Sequence, residues 1–333
     1  MTSRPGITRR MATAAAAVLA LATMAACGSS GSSAAKSADS SSSSASAGAS
    51  GGFPVTVKAD GGSVTLKSQP TRIVSLSPTA TEDLFAIGAG PHVVAVDSAS
   101  DYPADAPHTS LSGLTPNIEA IAKYRPDLVV ASMNAGGLVA NLAKLGIPVM
   151  IEPTATSLQD AYDQIDQIGQ ATGTSTKAAT VVSGMKSQIA ASVAKAGSSH
   201  SDLTYFWEVS ANPYYSATSS TFIGQVVGLF GLKNIADPAS KAADGGYPQV
   251  TPEFIVTAKP DIIFLSDADA ADGGQTPAIA AKRPGWSAIP AVKNGELIPI
   301  SGDISSRWGP RLPQFVAAIA AAVEAASAHS PAA

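Results

Sequence analysis

The chain has 333 residues, 45% of them hydrophobic and only 14% charged, enough apolar sequence for one large core or two ordinary ones, with two lobes the better expectation. Its formal net charge of -4 comes from 25 acidic and 21 basic side chains with no long run of either sign, which argues against nucleic acid and against an anionic membrane face as partners. A single cysteine, Cys27, leaves no intramolecular disulfide and no thiolate metal site.

Arg4, Arg9 and Arg10 precede an apolar run from Met11 to Ala26 that is too short and too Ala-rich for a membrane span, so residues 1–27 read as a signal peptide. Its end, MAAC, resembles the lipobox of bacterial lipoproteins, with Met24 where leucine is more usual. The resemblance implies that Cys27 is lipidated and becomes the mature N-terminus, tying an extracytoplasmic protein to the outer face of the cell membrane. Residues 28–52 are almost all Ser, Ala and Gly, a composition that buries too little apolar surface to offset its ordering entropy. They read as a tether with a reach of roughly 25 to 30 Å.

Folded sequence starts near Phe53, where VTV and VTL flank Asp60-Gly61 as a hairpin. Apolar runs then alternate with helical patterns: IVSL from Ile73, a helix from Thr79 to Ile87 stopped by Gly88, VVAV from Val93, a helix over Ile118 to Tyr124, DLVVA, a helix near Leu138 to Leu145, and PVMI. Runs this continuously apolar fit parallel strands covered on both faces, and residues 53–156 read as an N-terminal α/β lobe. Residues 157–200 read as a helical linker, with Ser157 as N-cap and one long helix over Ser175 to Ala196. The alternation resumes over 201–328 with LTYFW, a helix from Ser220, a helix from Pro252, DIIFL, ELIPI and a closing helix from Leu312. The fold class is α/β, with two Rossmann-like lobes joined by one long helix and a cleft between them.

The stretch EAIAKYRPDLVV from Glu119 returns as EFIVTAKPDIIF from Glu253, an offset of 253 minus 119, or 134. At that offset Asn117 meets Thr251 as a helix N-cap, Pro126 meets Pro260 and Asp127 meets Asp261. A shared register inside two similarly ordered lobes reads as a structural duplication.

Several blocks in order, RIVSLSPTATEDLFAIGAG, SDYPADAP, NIEAIAKYRPDLVVAS, GYPQVTPEFIVTAKPDIIF and SGDISSRWGPR, make the chain resemble the substrate-binding proteins of ABC importers for vitamin B12 and ferric siderophores. The resemblance runs from Phe53 to the last helix. It implies a metal-chelate cargo held between the lobes, limited closure about the long helix, and delivery to an ABC permease dimer with a cytoplasmic ATPase. It also implies that Glu119 and Glu253, one on the tip of each lobe, dock onto the permease. Helix-dipole stabilisation of about 0.3 to 1 kcal/mol explains an acidic first turn equally well; the pairing of equivalent positions favours docking.

Ligand-binding candidates come from loops at strand ends: Ser77, Pro78 and Thr79 after the first lobe's opening strand, then Trp207, Tyr214, Tyr215, Tyr247, Asp303, Arg307 and Trp308 in the second lobe. Gly113 and Leu114 stand where the B12 binders carry an aromatic. A corrinoid is the expected cargo, because a broad apolar plate with an amide rim suits aromatic walls and neutral hydrogen-bond partners; a ferric siderophore is the alternative. The cargo aside, no cofactor and no structural metal are expected, and the protein should be a monomer. An enzyme is the rival class. GAGPHV from Gly88 lacks the third glycine of a dinucleotide fingerprint and ends a helix instead of opening one. No G-x-S-x-G elbow occurs in the folded sequence from Phe53 onward, and His92, His108, His200 and His329 are scattered, against a metal site built on three histidines.

Overall fold

The computed structural model describes residues 52–269 and 274–329. The expected signal peptide, Cys27 and the tether as far as residue 51 lie outside them. The first described element is a hairpin, β1 (Val55–Ala59) and β2 (Gly62–Leu66), in register from Val55 opposite Leu66 to Ala59 opposite Gly62. Its two-residue turn ends on Gly61 at φ 77°, a conformation that costs glycine little.

The first lobe follows as β3 (Ile73–Leu76), α1 (Pro78–Ala86), β4 (Val93–Val96), α2 (Ile118–Lys123), β5 (Leu128–Ala131), α3 (Leu138–Ala143) and β6 (Val149–Ile151). The four strands form one parallel sheet in the order β4-β3-β5-β6. Nearly every strand residue is buried because alternate side chains serve opposite faces. Ile73, Leu128, Val130 and Met150 join a core that includes Leu84 of α1, while Val74, Leu76, Val129 and Ile151 pack with Ile121 of α2 and Leu142 of α3. As read from the sequence, Gly88 stops the first helix, at φ 80°.

Two long helices come next, α4 (Leu158–Thr172) and α5 (Ser175–Ala196). Ser157 and Asp160 form a capping box at the start of α4, which fixes that end by about 1 kcal/mol. The two helices approach closely at Gly169, where a Cβ would come within 2.5 Å of the Ala178 side chain. The 22 residues of α5 span about 33 Å at 1.5 Å per residue.

The second lobe contains β7 (Thr204–Ala211), β8 (Tyr214–Ser216), α6 (Phe222–Gly228), β9 (Lys233–Asn234), α7 (Pro252–Ala258), β10 (Ile262–Leu265), α8 (Pro277–Ala280), α9 (Pro290–Asn294), β11 (Leu297–Pro299), α10 (Gly302–Ser306) and α11 (Leu312–His329). Strands β11, β10 and β7 are parallel neighbours; β9 joins the start of β7, and β8 runs antiparallel along its end. Without β8, this is the path of the first lobe repeated. The duplication extends to single hydrogen bonds. Asp127 accepts from the Thr71 amide at 2.8 Å and its hydroxyl at 3.0 Å, and Asp261 from the Thr204 amide at 2.9 Å and hydroxyl at 2.7 Å. The residues just before the paired prolines, Arg125 and Lys259, both take left-handed backbone, at φ 48° and 51°; a following proline disfavours the right-handed helical region and helps end the helix.

Helices α4, α5, α6 and α11 lie between the two sheets as a shared layer. One continuous core runs from Ile73 and Met150 through Ile165, Val182 and Met185 to Phe315, Trp207 and Phe264. A separate cluster around Phe206, Ile263 and Trp286 covers the other face of the second sheet. Because the lobes share core, separating them would expose apolar surface at about 25 cal/mol per Å², so wide opening is costly.

Candidate ligand-binding cleft

The seam between the lobes is built by the segment from α10 into α11, which reaches across to the first lobe. Arg307 is buried and donates to Asp101 at 2.7 Å, Asp303 at 2.7 Å, the Ala99 carbonyl at 3.2 Å and Glu82 at 3.3 Å. Arg311 completes the pairing on Glu82 with bonds of 2.8 and 2.5 Å, its guanidinium stacked 4.3 Å from the Tyr102 ring. Glu82 belongs to α1 and is only 2% exposed. Removing one member of a buried pair of this kind costs about 3 to 5 kcal/mol, because the other charge is left behind. The hydrogen bond from Arg307 holds Asp101 below the usual carboxylate range. Two neighbouring carboxyls have no such partner among the described residues. Burial first, then the charges of Glu82 and Glu152, pushes Asp83 well above its ordinary value, and burial followed by Asp60 raises Glu152 to about 8.

Several of the expected ligand-binding residues make structural contacts. Asp303 pairs with Arg307, and Arg307 also reaches the first lobe. Ser77 and Thr79 are buried: Ser77 caps α1, accepting from the Ala80 amide, with Pro78 in the first turn, so the three residues build the helix start. Trp207 is a core residue, 0% exposed, with its ring 5.3 Å from Phe264 and 5.6 Å from Phe315. It lies on a central strand and faces the shared helical layer. Tyr214 turns to the other face of the sheet, where its ring lies 6.3 Å from Trp286 and beneath the Arg283 guanidinium, which is itself clamped on Glu208 at 2.6 and 2.7 Å.

Tyr247 and Trp308 do line a cavity between the lobes, of about 390 Å³. Val209, Phe222 and Ile223 complete its apolar wall, and Thr154, Ser266, Ser305 and Ser306 supply hydroxyls. Among the described residues, no lining side chain is charged. Thr154 follows β6 of the first lobe and the others belong to the second, so the cavity bridges both. The indole N–H of Trp308 donates to Gln164 of α4 at 2.8 Å, and Gln164 donates to the Pro153 carbonyl at 2.7 Å. A wider groove of about 600 Å³ lies between the hairpin turn and α4, lined by Asp60, Glu152, Asp160 and Asp163 among others. It has no lining residue from the second lobe, and Asp160 there is engaged in the capping box.

Sequence reasoning missed Val209, Phe222 and Ile223 of the cavity wall, and on the first lobe's strand-end loops it singled out Leu114 but not Met133. Leu114 is 73% exposed and Met133 43%. Gly113 carries the one local signal: a Cβ there would lie 2.4 Å from the Leu76 carbonyl oxygen, so an aromatic cannot take this position without moving backbone. Tyr215 is 37% exposed on the second lobe. Glu119 and Glu253 are exposed in the first turns of α2 and α7, behind N-caps Asn117 and Thr251, and neither makes an ion pair among the described residues. Each helix runs back along a parallel sheet, so both glutamates lie at the end where the strands finish.

Two α/β lobes clasping an uncharged cavity over a shared helical layer define a solute-binding protein. The family described as periplasmic binding protein matches residues 73–303. An uncharacterized ABC transporter substrate-binding lipoprotein of Bacillus subtilis, YvrC, is 34% identical over 280 residues, covering 81% of this chain and 86% of that protein. Among solved structures, the vitamin B12 binding protein BtuF of Vibrio cholerae superposes with a TM-score of 0.63 at 28% identity, over 78% of this chain and 98% of that one. The heme binding protein HutB of the same organism gives 0.65 at 25% identity, over 75% and 98%. The chain belongs to the periplasmic binding protein family. It is an extracytoplasmic substrate-binding protein of an ABC importer, not an enzyme, and works with a permease and its ATPase.

Proposed function

We propose that the protein is a lipoprotein that captures a corrinoid in the cavity between its lobes and hands it to an ABC permease dimer. The observation that carries this reading is the uncharged lining together with the engagement of the nearby arginines: Arg307 and Arg311 are committed to Glu82, Asp101 and Asp303. A corrin is a broad apolar plate with neutral amides at its rim, and it matches aromatic and aliphatic walls dotted with hydroxyls. An anionic ferric siderophore, or a haem with two carboxylates, calls instead for free cations in the wall. Cys27 supplies the lipid anchor, and Glu119 and Glu253 present one carboxylate from each lobe to the permease.

Calorimetric titration of the chain from Gly28 onward with cyanocobalamin, a ferric trihydroxamate and haemin tests the cargo. Binding of cyanocobalamin at micromolar or tighter affinity, about -8 kcal/mol or stronger, is expected. Uptake of the hydroxamate or of haemin with no heat from cyanocobalamin would replace the corrinoid by that ligand.

A further inference from the structure

Glu82 belongs to the first lobe, yet its two acceptor oxygens are taken by arginines on either side of Trp308 in the second lobe. The partners are 225 and 229 residues away in sequence. The shared apolar core already holds the lobes together, so this pairing acts on a shorter stretch, residues 307–311 and the serines just before it. Arg307 keeps Asp101, Asp303 and the Ala99 carbonyl if Glu82 is lost. Arg311 has Glu82 as its ion-pair partner among the described residues, with its guanidinium over the face of Tyr102 and Asp303 acting on it through charge alone. Trp308 is held on its other side by Gln164. The indole that lines the cavity is therefore pinned from two helices outside the second lobe, α1 of the first lobe through the arginines and α4 of the shared layer directly.

We propose that Glu82 is a positioning residue for ligand binding: by clamping Arg307 and Arg311 it sets where Trp308, Ser305 and Ser306 stand in the cavity wall. The proposal rests on the reading that this cavity holds the cargo. Glu82 touches no ligand; it acts through the two arginines, and a wall displaced by an ångström loses much of the benefit of preorganisation.

The test uses the purified full-length chain in detergent. Iodide quenching of tryptophan emission without ligand reads Trp308, because Trp207 and Trp286 are fully buried. Glu82→Gln and Arg311→Met should each increase quenching and shift emission to the red, and neither change should occur in a Trp308→Phe background. Each should weaken cyanocobalamin binding about tenfold. The double variant Glu82→Met/Arg311→Met replaces a buried ion pair by apolar groups, an exchange that is often neutral or stabilising. It should recover the thermal midpoint while quenching and affinity stay at the single-variant level. Recovery of affinity along with stability would reduce Glu82 to a structural role, and unchanged quenching in a folded Glu82→Gln or Arg311→Met chain would overturn the proposal outright. If the unmodified chain takes up no cyanocobalamin, the corrinoid reading fails, and the quenching result still decides the placement of Trp308.

Discussion

Replacing Glu152 with Gln should make the protein more stable, and increasingly so as pH rises. Glu152 follows β6, is 4% exposed and leaves its Oε1 without a hydrogen-bond partner among the described residues. Burial, with a smaller contribution from Asp60, raises its pKa from 4.5 to about 8. Between those values the folded chain holds a proton that the unfolded chain has released, so stability must fall with rising pH across this window. Each unit of displacement is about 1.4 kcal/mol. At pH 7, about 2.5 units above the unfolded value, the cost is about 3 kcal/mol, and it grows to about 5 kcal/mol by pH 9. Glutamine mimics the protonated acid and removes the titration. Urea unfolding of the wild type and the variant between pH 4.5 and 9 reads the difference, with midpoints compared at unchanged slope. The two curves should meet below pH 5 and diverge above it. A constant gap, or a variant no more stable than wild type at pH 8, would refute the claim that burial keeps this carboxyl protonated.

Trp207→Ala and Tyr247→Ala should separate core from cavity: the first should cost about 3 to 5 kcal/mol of stability, while the second leaves the unfolding midpoint nearly unchanged and weakens cyanocobalamin by more than about 1 kcal/mol. Equal thermal melts for the two variants would contradict the placement of Trp207. Glu119→Ala combined with Glu253→Ala should abolish uptake by cells with ligand affinity intact, and normal transport would remove the docking role, leaving only helix-dipole effects of a few tenths of a kcal/mol. Cys27→Ala should move the protein out of the membrane fraction, and its full retention there would rule out a lipid anchor at this position.

Most of the fold was legible because it depends on near neighbours. Apolar runs such as IVSL, LVVA and IIFL are buried on both faces wherever they pair, and Ser157, Asn117 and Thr251 cap the helices that follow them. The Pro-Asp repeat was readable for the same reason, since proline restrains the residue before it and the aspartate bonds the start of an adjacent strand in both lobes. The short strands β8 and β9 left no comparable trace. Each depends on pairing with β7, and two or three residues carry too little periodicity to declare a strand.

The cavity belongs to the other category. Sequence placed tryptophans, tyrosines and an Arg-Trp pair in the second lobe without saying which face each would take. Trp207 and Trp308 are chemically the same, yet one is enclosed by Phe264 and Phe315 and the other opens onto the cavity. Arg307 and Arg311 look like free cations until Glu82, more than two hundred residues earlier, arrives beside them. By itself the sequence determined the two lobes, their repeat and the helix that joins them, because hydrogen bonding and apolar periodicity act over a few residues. Only the tertiary structure decided which side chains are neutralised and which open onto the cavity, because burial and charge pairing are settled by groups that the chain brings together from its two ends.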